Sequence, residues 1–152
     1  MKALVVYDSA HGNTEKIARA VAEALTPSGK ARVLRAGEAQ PSDLKAMDLL
    51  VVGSPTLGGR PTPAVQEFLK RIPAGALKNL RVMSFDTRMK MFIARLFGWA
   101  ADRIAATLKE KGGILARPPE GFIVKGREGP LADGEIERAA AWAKAMLQGM
   151  KK

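Results

Sequence analysis

The chain has 152 residues, 47% of them hydrophobic, a formal net charge of +10, one histidine and no cysteine. The length suits one ordinary domain, and the apolar fraction argues against disorder. Without cysteine there is no disulfide framework, thiolate metal site or thiol nucleophile, and a lone histidine offers no zinc-binding cluster. No apolar run reaches membrane-spanning length and the run after Lys2 is too short for a signal sequence, so a cytoplasmic protein is expected. The positive charge should attract anions (phosphates, acidic proteins, nucleic acid or anionic lipid) unless it serves only to solubilise the surface.

Lys2 to Tyr7, short and valine-rich, predicts a buried strand. Asn13 to Leu25 predicts a helix, because Ile17, Val21 and Leu25 recur every four residues on one face; Pro27, Ser28 and Gly29 end it. Ala31 to Leu34 reads as a half-buried strand, Pro41 and Ser42 open a short helical turn, and Asp48 to Gly53 is a third strand. Pro61 to Ile72 is a helix whose apolar face is Val65, Phe68, Leu69 and Ile72. Arg81 to Phe85 is a fourth strand, with the loop DTRMK after it.

A long helix then occupies some part of Met89 to Lys111, stopped by Gly112 and Gly113. Met89, Phe92, Ile93, Leu96, Phe97 and Ala100 form an apolar stripe on it, and Lys90, Arg95 and Arg103 add charge. That stripe is either the sheet-covering face or a surface for lipid, quinone or a partner; Trp99 and Trp142 read as packing residues. A fifth strand in GILARPPEGFIV is expected to break at Pro118 and Pro119. Asp133 can cap a last helix with Ile136, Ala140, Ala143 and Leu147 facing inward. Five strands alternating with helices predict a single doubly wound α/β domain over residues 1–152, its parallel sheet covered on both faces. Ligands in such sheets bind at the carboxyl ends of strands near a topological switch point, so the loops after strands one, three and four are the candidates.

The first of these loops, SAHGNT (Ser9 to Thr14), opens a helix whose first N–H groups have no intrahelical partner and whose dipole favours an anion. Ser9 and Thr14 add hydroxyl donors, Asn13 an amide, and Gly12 lets the backbone come close. The simpler alternative is a βα-turn capped by Asn13 or Thr14. No lysine or acidic metal ligand lies in the loop, which suits a phosphate that is held rather than transferred. Neither G-x-G-x-x-G nor G-x-x-x-x-G-K-[ST] is present. A phosphoacceptor domain would need an aspartate where Gly53 and Ser54 stand.

YDSAHGNTEKIA resembles the phosphate loop of flavodoxins, which bind the 5′-phosphate of FMN at such an elbow. VVGSPTLGGRPTPAVQEFL resembles their loop after strand three, SFDTR the loop after strand four, and the likeness continues through GFIVKGREGPL and the last helix. The resemblance implies a short-chain flavodoxin-like fold: a five-stranded parallel sheet in the order 2-1-3-4-5 with helices on both faces. It implies FMN as the cofactor, with the phosphate held by Ser9, Gly12, Asn13 and Thr14 and His11 beside them. Ser54, Pro55, Thr56, Leu57, Gly58 and Gly59 would edge the flavin ring, with Asp86, Thr87 and Arg88 along the other side, mostly through backbone groups. In the family a peptide in the strand-three loop can flip when flavin N5 is protonated; here it would be Leu57-Gly58 or Gly58-Gly59.

This chain departs from the family pattern at three points. His11 stands where a hydroxyl residue is common, and neither flavin loop contains an aromatic residue, so Leu57, Met89 and Arg88 would have to contact the ring. The chain is basic where flavodoxin carriers are typically acidic, which would favour acidic redox partners or an anionic membrane surface. No acid–base pair, nucleophile or metal cluster is visible, so any chemistry would belong to the flavin. The expected function is an FMN-binding electron carrier serving redox partner proteins. The alternatives are an FMN-dependent oxidoreductase acting on a quinone-like acceptor and a flavin-free binding module. Nucleic acid is not an expected partner, because the charge comes with no recognition motif.

Overall fold

The computed structural model describes residues 1–90 and 98–150. Its elements in chain order are β1 (Lys2–Tyr7), α1 (Asn13–Leu25), β2 (Lys30–Arg35), β3 (Leu49–Pro55), α2 (Pro63–Arg71), β4 (Arg81–Met89), α3 (Ala100–Glu110), β5 (Ile114–Leu115), β6 (Glu120–Val124) and α4 (Glu135–Met150). Short 3₁₀ turns occupy Thr26–Ser28 and Pro41–Leu44. The sheet runs β2-β1-β3-β4-β5, every pairing parallel, and β6 also pairs with β4. β5 and β6 are therefore two pieces of one fifth strand. Val82 pairs with Leu115 and Phe85 with Glu120, so the fifth strand carries two extra residues at the Arg117-Pro118-Pro119 break. Proline cannot donate to the ladder, which is why the strand opens there.

The two-residue period of β1 builds two cores. Ala3, Val5 and Tyr7 point to one face, under α1 and α4; Leu4 and Val6 point to the other, under α2 and α3. Ile17, Val21 and Leu25 of α1 are fully buried, as are Val65 and Phe68 of α2, so both helical faces match the periodicity. Phe85, Phe122 and Trp142 form an edge-to-face aromatic cluster with centroids 5.9–6.1 Å apart, joining β4, β6 and α4.

Four local expectations are corrected. β4 does not stop at Phe85 but runs to Met89, so Asp86, Thr87 and Arg88 lie on the sheet, paired with β3 and β6, rather than in a loop. On α4 the expected Ala143 is buried and Ala140 and Leu147 pack half-buried against the core, but Ile136 is exposed and Ala139, Trp142 and Met146 complete the face, because docking Trp142 into the aromatic cluster sets the helix rotation. Asp133 is exposed and pairs with Lys125; Gly134 directly precedes α4, and its carbonyl accepts the Arg138 N–H. Trp99 is not a core residue: it precedes α3 half-buried, with Arg88 stacked on it. Of the apolar stripe, Met89 ends β4 and Ala100 opens α3, while Phe92, Ile93, Leu96 and Phe97 lie outside the described residues.

Candidate functional site

β1, β3, β4 and β6 all end on one side of the sheet, and the strand order reverses between β1 and β3. A cleft of about 590 Å³ opens there, within the size range of small-molecule sites. Its walls are Ser9, Ala10, His11, Asn13 and Thr14 after β1, with Pro55 at the end of β3 and Thr56 to Gly58 after it. Thr87, Arg88 and Met89 come from the end of β4, and Val124 and Arg127 from the end of β6 and the loop after it.

At the elbow no side chain caps α1, which starts after Gly12 in the left-handed region at φ 90°. The expected caps are occupied elsewhere. Asn13 Nδ2 donates to the Glu128 carbonyl at 3.1 Å, and a Cβ on Gly129 would lie 2.6 Å from Asn13 Oδ1. Thr14 Oγ1 is 2.8 Å from Thr87 Oγ1, a buried bond that ties α1 to β4. Ser9 Oγ accepts the Gly12 N–H at 3.0 Å, which leaves its own proton for a ligand. The Arg35 guanidinium lies 5.2 Å from the Tyr7 ring centroid and pairs with Asp8 and Glu15 behind the elbow. His11 is exposed on the cleft wall.

After β3 the chain makes a tight turn. Leu57 and Arg60 exchange both backbone bonds (2.8 and 3.0 Å), and Gly58 and Gly59 both have positive φ, the type I′ pattern. Ser54 and Gly59 do not line the cleft. The buried Ser54 hydroxyl donates to the Pro55 carbonyl and accepts the Thr62 N–H, fixing the turn to the start of α2. The Gly59 carbonyl accepts Arg103 Nε at 2.8 Å.

Asp86 also lies behind the wall, fully buried. Its carboxylate takes Arg88 Nε and Nη2 at 2.7 and 2.8 Å and the Ala101 N–H at 2.9 Å, while Thr56 Oγ1 accepts the Ala100 N–H at 3.0 Å. Burial pushes the Asp86 carboxyl above its ordinary pKa, against the lowering effect of Arg88. The Arg88 guanidinium is held on its remaining sides by the Trp99 ring, 3.9 Å away, and by Gly121, where a Cβ would lie 2.2 Å from the guanidinium carbon. Among the described residues, Trp99 therefore bears on this end of the cleft through Arg88. In the sequence Trp99 reads as a packing residue, because it stands eleven residues past Arg88 at helical spacing, outside the candidate loops.

Val124 and Arg127 were missed for a related reason. They stand at the end of the fifth strand and in the loop after it, which leaves the carboxyl edge of the sheet beside the three candidate loops. Ala10 is a further wall residue that offered no donor to notice.

A model of the flavodoxin family matches residues 5–142. The chain belongs to the flavodoxin family. Flavodoxins carry FMN, and the donor set fits it: an uncapped helix start with two hydroxyls at one end of the cleft, and an apolar and glycine-lined mouth at the other. Among solved structures, an archaeal flavodoxin is 20% identical with a TM-score of 0.81, each chain covered completely. Flavodoxin 1 of Bacillus cereus is 18% identical with a TM-score of 0.82, covering 97% of this chain and 98% of that one. Rubredoxin oxygen:oxidoreductase of Desulfovibrio gigas is 21% identical with a TM-score of 0.75; the match covers 99% of this chain but 37% of that one. In sequence, a diflavin flavoprotein of Thermosynechococcus vestitus is 36% identical over 99% of this chain, and one of Synechocystis 32% identical over 74%. The chain spans about a fifth to a quarter of the length of these curated flavodoxin relatives (19% and 25%). Among the described residues there is no cluster able to hold a metal ion, and no helix long and apolar enough to cross a membrane.

Proposed function

We propose that this chain binds FMN in the cleft and passes electrons to redox partner proteins. The observation that carries the reading is the uncapped start of α1, with the Ser9 and Thr14 hydroxyls beside it, opening into a cleft at the sheet's switch point. FMN supplies the redox chemistry; the chain binds, orients and shields it. Ser9 and Thr14 hold the phosphate with the first N–H groups of α1, and His11 stands beside them; Gly12 does not line the cleft, and its N–H is bonded to Ser9 Oγ. The Asn13 amide instead clamps the loop at Glu128. Leu57, Gly58, Met89 and Val124 contact the ring, and Arg88, fixed by Asp86, Trp99 and Gly121, lines the wall beside it.

Of the two candidate peptides for reorientation, Gly58–Gly59 is favoured. It is the central peptide of the turn, and the Leu57 and Gly59 carbonyls on either side are held by the Arg60 N–H and by Arg103. Glycine at both positions tolerates either orientation. Ser54, Gly59 and Asp86 support the loops from behind or beside the cleft, and Pro55 and Thr56 belong to its wall.

The chain works in the cytoplasm in this reading, and its charge of +10 selects acidic partners or an anionic membrane surface. Because the matched region is a fraction of the diflavin relatives, a second reading is that the domain feeds electrons to a larger oxidoreductase. FMN added to purified apoprotein, followed by flavin fluorescence with riboflavin as control, is the test. Tight FMN binding with weak riboflavin binding is expected; binding of neither overturns both readings. Co-sedimentation with anionic vesicles at low ionic strength decides the membrane part, which fails if no protein sediments.

A further inference from the structure

A second cavity, about 270 Å³, lies between α2 and α3 on the far side of the Leu57–Arg60 turn. Its walls include Arg60, Lys70, Arg103 and Lys111 and no acidic residue. Its remaining walls, Pro61, Gln66, Leu69 and Thr107, are apolar or neutral. Arg60 and Lys70 are exposed and enter no ion pair among the described residues. Lys111 Nζ donates to the Ile72 carbonyl at the end of α2, which keeps the lysine folded over the groove.

The local helices explain only part of this charge. Lys70 sits in the last turn of α2, where a cation suits the helix dipole. Arg103 sits in the first turn of α3, where a cation is disfavoured, and Arg60 belongs to no helix. Arg103 is placed instead by its bond to the Gly59 carbonyl, so one guanidinium serves both the groove and the turn at the cleft. Leu57, 52% exposed, projects from that same turn, bonded through its backbone to Arg60.

An exposed apolar tip continuous with a cationic groove matches a protein surface better than a small anion, which needs convergent donors rather than an apolar anchor. We propose that this groove docks an acidic segment of a protein partner, with Leu57 as the apolar anchor beside the cleft. The docking rests on the groove's charge and shape; only its role in delivering electrons rests on the FMN reading. Carboxylates entering the groove pair with Arg60 and Lys70 and compete for Arg103, which draws the Gly59 carbonyl into the contact. Partner binding is thereby felt at the loop that edges the cofactor.

The experiment uses a rhodamine-labelled peptide of alternating glutamate and glycine, titrated against FMN-treated and untreated protein by fluorescence anisotropy. Lys70→Glu/Thr107→Glu places two acids in the groove without touching the flavin loops. Lys144→Glu/Gln148→Glu on the solvent side of α4, across the sheet, makes the same change in net charge. Lys70→Ser serves as a milder groove variant, and melting temperatures confirm that every variant is folded. The groove variants are expected to lose about tenfold or more in peptide affinity, and the α4 control no more than about threefold. Equal losses in groove and control variants overturn the proposal, leaving only the long-range field of a basic protein. Absence of peptide binding at about 20 mM salt overturns it as well. Selective peptide binding by a protein that fails to take up FMN upholds the groove and overturns the flavin reading.

Discussion

Thr14 and Thr87 meet in one buried hydroxyl pair, 2.8 Å apart, that joins the first turn of α1 to β4 at the wall of the cleft. Thr14→Val keeps the shape and removes the hydroxyl. FMN affinity is expected to fall about tenfold, or about 1.4 kcal/mol, with riboflavin affinity unchanged, as measured by paired fluorescence titrations. Equal loss for both ligands would mean that Thr14 supports the fold rather than the phosphate. Gly121 makes a second test at this scale, because a methyl group there would overlap the Arg88 guanidinium. Gly121→Ala should displace Arg88 from Asp86 and Trp99, change the tryptophan emission, and cost about 1–3 kcal/mol of stability as overpacking. An unchanged emission spectrum would show that Arg88 does not depend on the bare backbone at Gly121.

Between elements, Glu135 is the chief polar tie of α4 to the fifth strand. Its carboxylate accepts the Ile123 N–H at 2.7 Å and two bonds from Arg138 at 2.8 and 2.9 Å, and Arg138 also reaches Glu120 at 2.8 Å and stacks on Phe122. The Arg138 hydrogen bonds hold the Glu135 carboxyl below its ordinary pKa, helped by the Ile123 N–H. With the folded pKa lowered, the native state binds fewer protons than the unfolded chain. The contribution is complete above the ordinary glutamate pKa of about 4.3 and is lost as pH falls through the lower folded value. Glu135→Gln should therefore cost about 1–3 kcal/mol at pH 7, and its deficit should shrink as pH falls below about 4. Melting curves of both proteins from pH 7 to pH 3 check this; a deficit that grows in acid would reverse the assignment.

At the scale of the molecule, the two cores share one sheet, with β1 contributing alternate residues to each. Neither helical layer can be removed without exposing the face of the strands beneath it. Residues 1–152 are accordingly expected to unfold in one cooperative transition, with calorimetric and van't Hoff enthalpies in agreement; two resolved transitions would divide the domain. The net charge of +10 acts on the same scale. Encounter with an acidic partner should slow steeply as salt rises, because steering falls off over a Debye length of about 10 Å at 0.1 M.

The alternation in ALVVY, the four-residue spacing of Ile17, Val21 and Leu25, and the glycine and proline punctuation determine the order of strands and helices without reference to distant residues. The elbow at SAHGNT was legible for the same reason: an unpaired helix start with small donors is a local feature. What depends on contacts across the chain was decided only in the tertiary structure. DTRM reads as a loop until β3 and β6 pair with it on both sides, and Trp99 reads as filler until Arg88 stacks on it. Asn13 reads as a cap until Glu128, 115 residues away, takes its amide. Arg60 and Lys70, ten residues apart in sequence, meet Arg103 and Lys111 only because α2 and α3 pack side by side on one face of the sheet. Periodicity records which side of an element is apolar; it carries no record of which polar groups from separate elements converge once those sides are buried.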